Sequence, residues 1–365
     1  MIDAPFLFIV KAWPVFAAIT MVLVPRGKQR SFGLAFAAIG FALASMSAIF
    51  LLPVPPVPRI LFCAASFLPL LTLLSDAGMR RIAPLFLISS VASLSCLAAD
   101  RLSNVVGVIF MTFALIIVIL RSATHVRPVL GWTHVFVGAC IVLLTGATLS
   151  GMMWPEAPHP AHIGEILMAA GFSVLLAGFR QSRETSTESA LVTMLRCGIV
   201  LTAISGLLKI HEIIAVQEVV IAVSLIAATF LFLQGCATIN LCGCFVALSA
   251  VMPHLGAPMI VFILALCLAE SINPSAHMDR WMESLLPPSP LLPAVLALFW
   301  AMNTISRAFG AALLVIILGQ FMLRRPIWPP TIAWQTRVNL WLLLALGLIS
   351  PVFVAHNPFL NGVGP

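Results

Sequence analysis

The chain is a near-continuous series of apolar segments, each about as long as a lipid bilayer is thick, joined by short connections. A helix needs about 20 apolar residues to cross the roughly 30 Å hydrocarbon core of a membrane. Hydrophobic residues make up 61% of the chain and charged residues 8%. That balance leaves too little polar surface for a water-soluble globule of this length. The sequence therefore predicts a polytopic membrane protein.

The segments are continuously apolar, whereas a barrel strand would alternate apolar and polar residues. They are residues 5–24, 32–52, 59–75, 83–99, 104–120, 131–151, 162–179, 190–208, 213–235, 237–252, 257–272, 293–323 and 338–356. We expect an all-α bundle of about 12 or 13 transmembrane helices. It forms a single membrane domain over residues 1–365, and no connection before residue 273 is long enough for a soluble domain.

Lysine and arginine residues are concentrated in alternate connections, which is typical of the cytoplasmic side. The rich connections contain Arg26, Lys28 and Arg30; Arg80 and Arg81; Arg121 and Arg127; and Arg180 and Arg183, whereas those between them contain only Arg59, Arg101 or no basic residue. This pattern predicts an inner-membrane protein with its amino terminus outside. Twelve crossings fit the later basic residues better than thirteen, if residues 237–272 cross only once.

Residues 273–292 form the longest polar interruption. Within residues 275–286, one helical face is apolar and the opposite face is charged, a pattern typical of a helix lying in the membrane interface. We expect an interfacial amphipathic connector. A lateral element that grips a neighbouring subunit is the alternative.

The densest group of ionisable residues inside apolar sequence is Lys209, His211, Glu212 and Glu218. Ionisable side chains at bilayer depth are costly and usually functional. On one continuous helix these residues would supply an acid, a base and a titratable imidazole, as a proton relay requires. Alternatively, residues 209–212 form a solvated loop between two spans.

Arg307 lies midway along the apolar segment 293–323, and Glu270 ends an earlier segment. A guanidinium does not lose its proton in a protein, so Arg307 must meet a carboxylate, carbonyl groups or water. Glu270 or a partner subunit could supply the carboxylate. Lys11, close to the start of the first span, is expected only to snorkel to the interface.

No catalytic signature is present, and neither a metal site nor a cofactor is predicted. Glu165 follows His159 and His162 at the start of a span, where an interfacial position is favoured over a metal site. The scattered histidines leave a haem-binding protein as a minor alternative. The basic residues face lipid headgroups, so the expected partners are the bilayer and other membrane subunits, not nucleic acid.

Two stretches resemble the membrane arm of respiratory complex I and the related membrane-bound hydrogenases. Residues 186–191 (STESAL), which lead into residues 205–208 (SGLL), resemble part of the antiporter-like subunits, and residues 240–248 (NLCGCFVAL) are similar to a helix pair of the small subunits. The resemblance implies that Glu188 is a buried glutamate and Lys209 a displaced proton-handling lysine. The long central lysine helix of the family is missing from this sequence.

These observations favour a membrane subunit of a larger complex that translocates or couples protons or other ions. The chain has no segment typical of a nucleotide-binding domain, so a gradient or a partner must supply its energy. A stand-alone secondary transporter is the alternative, and residues 253–258 are its candidate broken helix.

Overall fold

The computed structural model describes residues 3–50, 56–75, 82–98, 100–122, 126–152, 161–178, 190–211, 289, 291–323 and most of 338–349. All regular secondary structure in these ranges is helical. The predicted segments 213–235, 237–252 and 257–272, and nearly all of the connector 273–292, lie outside the described residues. The total number of helices, the connector and the single-domain organisation therefore stay predictions.

Each of the first eight apolar segments forms one helix. The helices are α1 (Asp3–Leu23), α2 (Gln29–Phe50), α3 (Pro56–Ser75), α4 (Ala83–Leu97), α5 (Arg101–Ser122), α6 (Val126–Leu149), α7 (Ala161–Gly178) and α8 (Ala190–His211); two more, α9 (Leu291–Ile305) and α10 (Arg307–Leu323), follow later in the chain. Leu340–Ile349 is a further apolar helical stretch.

Among the described residues, three helical stretches are long and apolar enough by themselves to cross a membrane: Phe6–Leu23, Gln29–Ile49 and Arg101–Arg121. The last of these has an arginine at each end, where a charged group can reach the headgroups. Large apolar side chains such as Phe8 and Ile117 lie on the outer surface, as lipid contact requires. The prediction of an all-α membrane bundle is confirmed.

Helix α8 lies at the centre of the described bundle and packs against α3, α4, α5 and α7. Its described side chains from Met194 to Leu207 are all buried. A helix that is apolar on every side has no face to offer to water and belongs inside a bundle. Any polar side chain on α8 is therefore placed among other helices.

The α6–α7 hairpin is closed by two glycines. A side-chain carbon at Gly164 would lie 2.6 Å from the Gly146 carbonyl oxygen, and one at Gly146 would lie 2.7 Å from the Gly164 carbonyl oxygen. Only glycine allows two helix backbones to approach so closely, and membrane helices commonly pack through such small residues.

A proline inside α3 is compensated by a serine of α4. Pro69 has no amide hydrogen to donate to the carbonyl four residues earlier, that of Ala65. The Ser89 hydroxyl donates to this Ala65 carbonyl at 2.8 Å. A hydroxyl group on a neighbouring helix thus replaces the missing amide donor, which is one way in which a membrane helix tolerates an interior proline.

The apolar segment 293–323 is not one helix, contrary to its reading as a single segment in the sequence. It is divided at Ser306 into α9 and α10. The Ser306 hydroxyl accepts a hydrogen bond from the Ala308 amide at 3.2 Å, as an N-cap residue does. A side-chain carbon at Gly310 would lie 3.2 Å from the Cα atom of Asn303, whereas residues seven apart in one helix are about 10 Å apart along its axis. The chain therefore turns sharply at Ser306.

Candidate functional site

Lys209 lies in the last turn of α8, and its ammonium group points between α4 and α5. It donates to the Ser95 carbonyl at 3.1 Å, to the Asp100 carbonyl at 3.4 Å and to the side-chain oxygen of Asn104. The last carbonyls of a helix have no partner within it, and Ser95 belongs to the last turn of α4. The lysine thus closes the end of α4 with a positive charge, which the helix dipole favours. We call Ser95, Asp100, Asn104 and Lys209 the Lys209 cluster.

Asn104 joins three helices inside this cluster. Its side chain is fully buried in α5. Its amide nitrogen donates to the Ser95 carbonyl of α4 at 3.1 Å and to the Thr202 carbonyl of α8 at 3.2 Å, while its oxygen accepts from Lys209. Both amide hydrogens and the oxygen are used, so the amide orientation is fixed by its surroundings. The ammonium position is fixed with it.

Asp100 begins α5 as its N-cap residue. Its carboxylate accepts hydrogen bonds from the Ser103 amide at 2.8 Å and from the Ser103 hydroxyl at 2.7 Å. Hydrogen bonding from the Ser103 hydroxyl is the largest cause that lowers the pKa of the Asp100 carboxyl below its usual range; the backbone hydrogen bonds and the nearby Lys209 charge act in the same direction. The Lys209 cluster therefore holds a cation close to an exposed carboxylate.

An ion pair links α5 to α7 at the same end of the bundle. Arg101 donates to Glu165 at 2.8 Å, and the two side chains are 27% and 7% exposed. The second carboxylate oxygen of Glu165 is buried and has no hydrogen-bond partner in the described part of the chain. Glu165, expected at the interface, is thus enclosed by protein and neutralised by Arg101.

Buried hydroxyl groups continue from Lys209 towards the middle of α8. Ser205 and Thr202 precede Lys209 by four and seven residues, so all three lie on one face of the helix. The hydroxyl oxygens of Ser205 and Thr202 are buried; that of Thr202 has no hydrogen-bond partner among the described residues, and that of Ser205 lies beside the Cys96 thiol. A buried hydroxyl in this state needs a hydrogen-bond partner that those residues do not supply. We call Lys209, Ser205 and Thr202 the polar line of α8.

Of the residues predicted for an ion pathway, three are described. Helix α8 extends to His211, so Lys209 and His211 are both helical. These two residues are therefore not part of the loop considered for residues 209–212. Arg307 is the first residue of α10. The other four candidates, Glu188, Glu212, Glu218 and Glu270, lie outside the described residues, and their roles stay predictions.

Arg307 is exposed on the surface of the chain. Arg307 takes no part in the ion pair between Arg101 and Glu165. Glu270, its predicted partner, lies outside the described residues. The structure therefore places Arg307 at a helix break and leaves its guanidinium accessible from outside the chain.

Arg196 and Asn104 were not predicted from the sequence as functional residues. Arg196 is 1% exposed and is the largest fully buried side chain of the described residues. The sequence does contain a sign of Arg196, because this residue is a lone charge within the apolar segment 190–208. Asn104 carried no such signal, because an asparagine near the start of a span is ordinary until α4 and α8 are packed against it.

The sequence matches no protein-family model, and no curated protein matches it. The fold does have a counterpart among solved structures. A chain of respiratory complex I from Thermus thermophilus, solved with bound NADH, superposes with a TM-score of 0.58 over 98% of this chain and 99% of that chain. The two chains therefore share a fold. With 13% sequence identity, the likeness establishes architecture alone, and it confirms the resemblance to complex I inferred from the two short stretches.

Proposed function

We propose that this protein is a membrane subunit of a larger complex in a bacterial inner membrane, and that it translocates or couples protons. The similarity to a complex I chain over nearly the full length supports the first part, because that chain comes from a multi-subunit assembly. The second part is supported by the part-buried Lys209 between α4, α5 and α8 and by the buried hydroxyl groups of Ser205 and Thr202 on α8.

The observation that carries the proposal is the position of Lys209. Its ammonium group is held by Asn104 and by two backbone carbonyls between three helices. Lysine, unlike arginine, can release its proton inside a protein. A neutral Lys209 has two hydrogens for its three oxygen acceptors, so release of the proton gives up one of these hydrogen bonds. It could take up a proton again through water held at Ser205 and Thr202. His211, Glu212, Glu218, Glu188 and Glu270 are proposed as further members of the pathway.

The orientation of this route follows from the basic residues. The cluster contacts and the glycine contact bring together the ends of α4, α6 and α8 and the starts of α5 and α7. The connections at this end are those with few basic residues, so we assign it to the outer side of the membrane. Lys209 would then exchange protons near the outer surface, and Ser205 and Thr202 would lead inwards.

The test is proton uptake by liposomes that contain the assembled complex. An imposed potassium diffusion potential drives protons inwards, and a pH-sensitive dye in the lumen reports them. We expect Lys209→Met to reduce the initial rate at least about tenfold, because methionine fills a similar space without a proton to transfer. The matched control is Lys11→Met, which removes an exposed lysine of α1. Equal rates for Lys209→Met and the unsubstituted complex would refute the proton role.

A stand-alone secondary transporter is the second candidate. The break between α9 and α10 favours it, since transporters commonly bind substrates and ions at interrupted helices. The test is substrate uptake driven by an ion gradient in liposomes that contain this chain alone. Uptake without companion subunits would establish this function and exclude the first one.

A further inference from the structure

A small cavity lies between α1, α2, α3 and α4, at the point where the interior prolines of two helices meet. Pro14 of α1 and Pro69 of α3 both line it, together with Ser66 of α3 and Ser89 of α4. The cavity leaves about 10 Å³ for the centre of a water molecule, which is about the minimum that one water molecule needs. Pro14 belongs to Phe6–Leu23, a stretch long and apolar enough to cross a membrane, so the cavity lies beside a membrane-spanning helix.

The wall of this cavity includes a carbonyl group that its own helix cannot satisfy. Pro14 has no amide hydrogen, so it cannot donate to the carbonyl four residues earlier, that of Val10. Val10 lines the same cavity and is 4% exposed. A buried carbonyl without its helical donor costs free energy unless another group supplies a hydrogen. In membrane helices a hydroxyl group or an ordered water molecule supplies it.

The polar groups of the cavity wall differ in what they can offer to such a carbonyl. The Ser89 hydroxyl gives its one hydrogen to the Ala65 carbonyl at 2.8 Å, so towards the cavity its oxygen can only accept. The Ser66 hydroxyl can donate as well as accept. The indole nitrogen of Trp13 donates its hydrogen to the Phe36 carbonyl at 3.0 Å, so it is already used.

We propose that this cavity binds one water molecule, which joins α1, α3 and α4 at the level of the two prolines. The water donates one hydrogen to the Val10 carbonyl and the other to the Ser89 oxygen, and it accepts the hydrogen of Ser66. Three hydrogen bonds are the usual number for a buried water molecule. The water thus does for Pro14 on α1 what the Ser89 hydroxyl does for Pro69 on α3. This site is separate from the Lys209 cluster and does not depend on the proposed proton role.

The test is a substitution that fills the cavity, because a hydrated cavity and a dry one respond with opposite signs. Ala37 of α2 lines the cavity and is 2% exposed. If water is bound, Ala37→Val displaces it and leaves the Val10 carbonyl without a donor, so the unfolding temperature in detergent should fall by several degrees. In a dry cavity the added carbon atoms would gain packing contacts, and the unfolding temperature would rise.

The control for overpacking is Ala37→Val in a Pro14→Ala background. Pro14→Ala restores an amide that can donate to the Val10 carbonyl, so loss of the water then leaves only hydroxyl groups, and Ala37→Val should lower the unfolding temperature clearly less. A high-resolution density map should show a water oxygen about 3 Å from the Val10 carbonyl oxygen and from the Ser66 hydroxyl. A rise in unfolding temperature with Ala37→Val, an equal fall in both backgrounds, or a map without this water would overturn the inference.

Discussion

At the scale of single residues, Asn104 determines the geometry of the Lys209 cluster. Asn104→Leu would remove the donor to the Ser95 and Thr202 carbonyls and the acceptor for Lys209. Buried groups that lose their partners cost about 1–3 kcal/mol each, so we expect a lower unfolding temperature in detergent. Thr145→Val is the control, since Thr145 is exposed and bonds only within its own helix, and it should have almost no effect. Equal stabilities for the two variants would show that Asn104 is not a structural junction.

Asp100 gives the cluster a pH dependence. Its pKa is lowered in the folded chain, chiefly by the Ser103 hydroxyl, so its contribution to stability is present above the ordinary carboxyl pKa of about 3.9. That contribution disappears as the pH falls through the lowered value. At pH 7, Asp100→Ala should cost about 1 kcal/mol through loss of the N-cap.

The measurement is thermal unfolding of Asp100→Asn and of the unsubstituted protein between pH 7 and pH 3. The difference in stability should begin to shrink as the pH falls below about 4, where Asp100 of the unfolded chain takes up a proton, and it should vanish once the pH has fallen past the lowered pKa of the folded chain. A difference that stays constant over this range would mean that the carboxylate charge contributes nothing.

At the scale of helices, the close approach of α6 and α7 depends on Gly146 and Gly164. Gly164→Val should force the two backbones apart and destabilise the protein by more than about 2 kcal/mol, since no flexible side chain can yield to it. Gly138 is also in α6, but a side-chain carbon there meets nothing within 4 Å. Gly138→Ala should therefore be neutral or slightly stabilising. Unfolding temperatures in detergent compare the two; similar shifts would contradict the packing argument.

A double-mutant cycle can test whether the Ser89 hydroxyl replaces the donor that Pro69 lacks. Ser89→Ala alone leaves the Ala65 carbonyl without its donor and should cost about 1 kcal/mol. In a Pro69→Ala background the restored amide can bond to Ala65, so the same substitution should cost less. The coupling energy between the two sites is the quantity measured, and additive effects would show that the two residues act independently.

Most helices could be predicted because the bilayer fixes their length and their apolar character. The segment 293–323 could not be resolved in this way. The segment is apolar on both sides of Ser306, so its hydropathy indicates one continuous span. The break depends on the Ser306 hydroxyl, which caps α10. A local hydrogen bond competes there with helix continuation, and its sign in the sequence is the polar run at residues 303–307 (NTISR).

At the scale of the whole molecule, the candidate site was partly predictable for a related reason. Lys209 is detectable because a charge in an apolar segment is rare. Its partners Ser95 and Asn104 are more than 100 residues away in the chain, and they become neighbours only when α8 packs between α4 and α5. Arg101 and Glu165 were each treated as residues at span ends, and only the packing of α5 beside α7 makes them an ion pair.

The central claim is that this membrane bundle works as one subunit of a larger assembly. Its most direct test is the native mass of the tagged, unsubstituted protein, extracted from its own membranes in mild detergent. The account predicts an assembly much heavier than the 39.1 kDa chain, with companion subunits in a fixed ratio. A folded, monodisperse chain of 39.1 kDa without companions would contradict it.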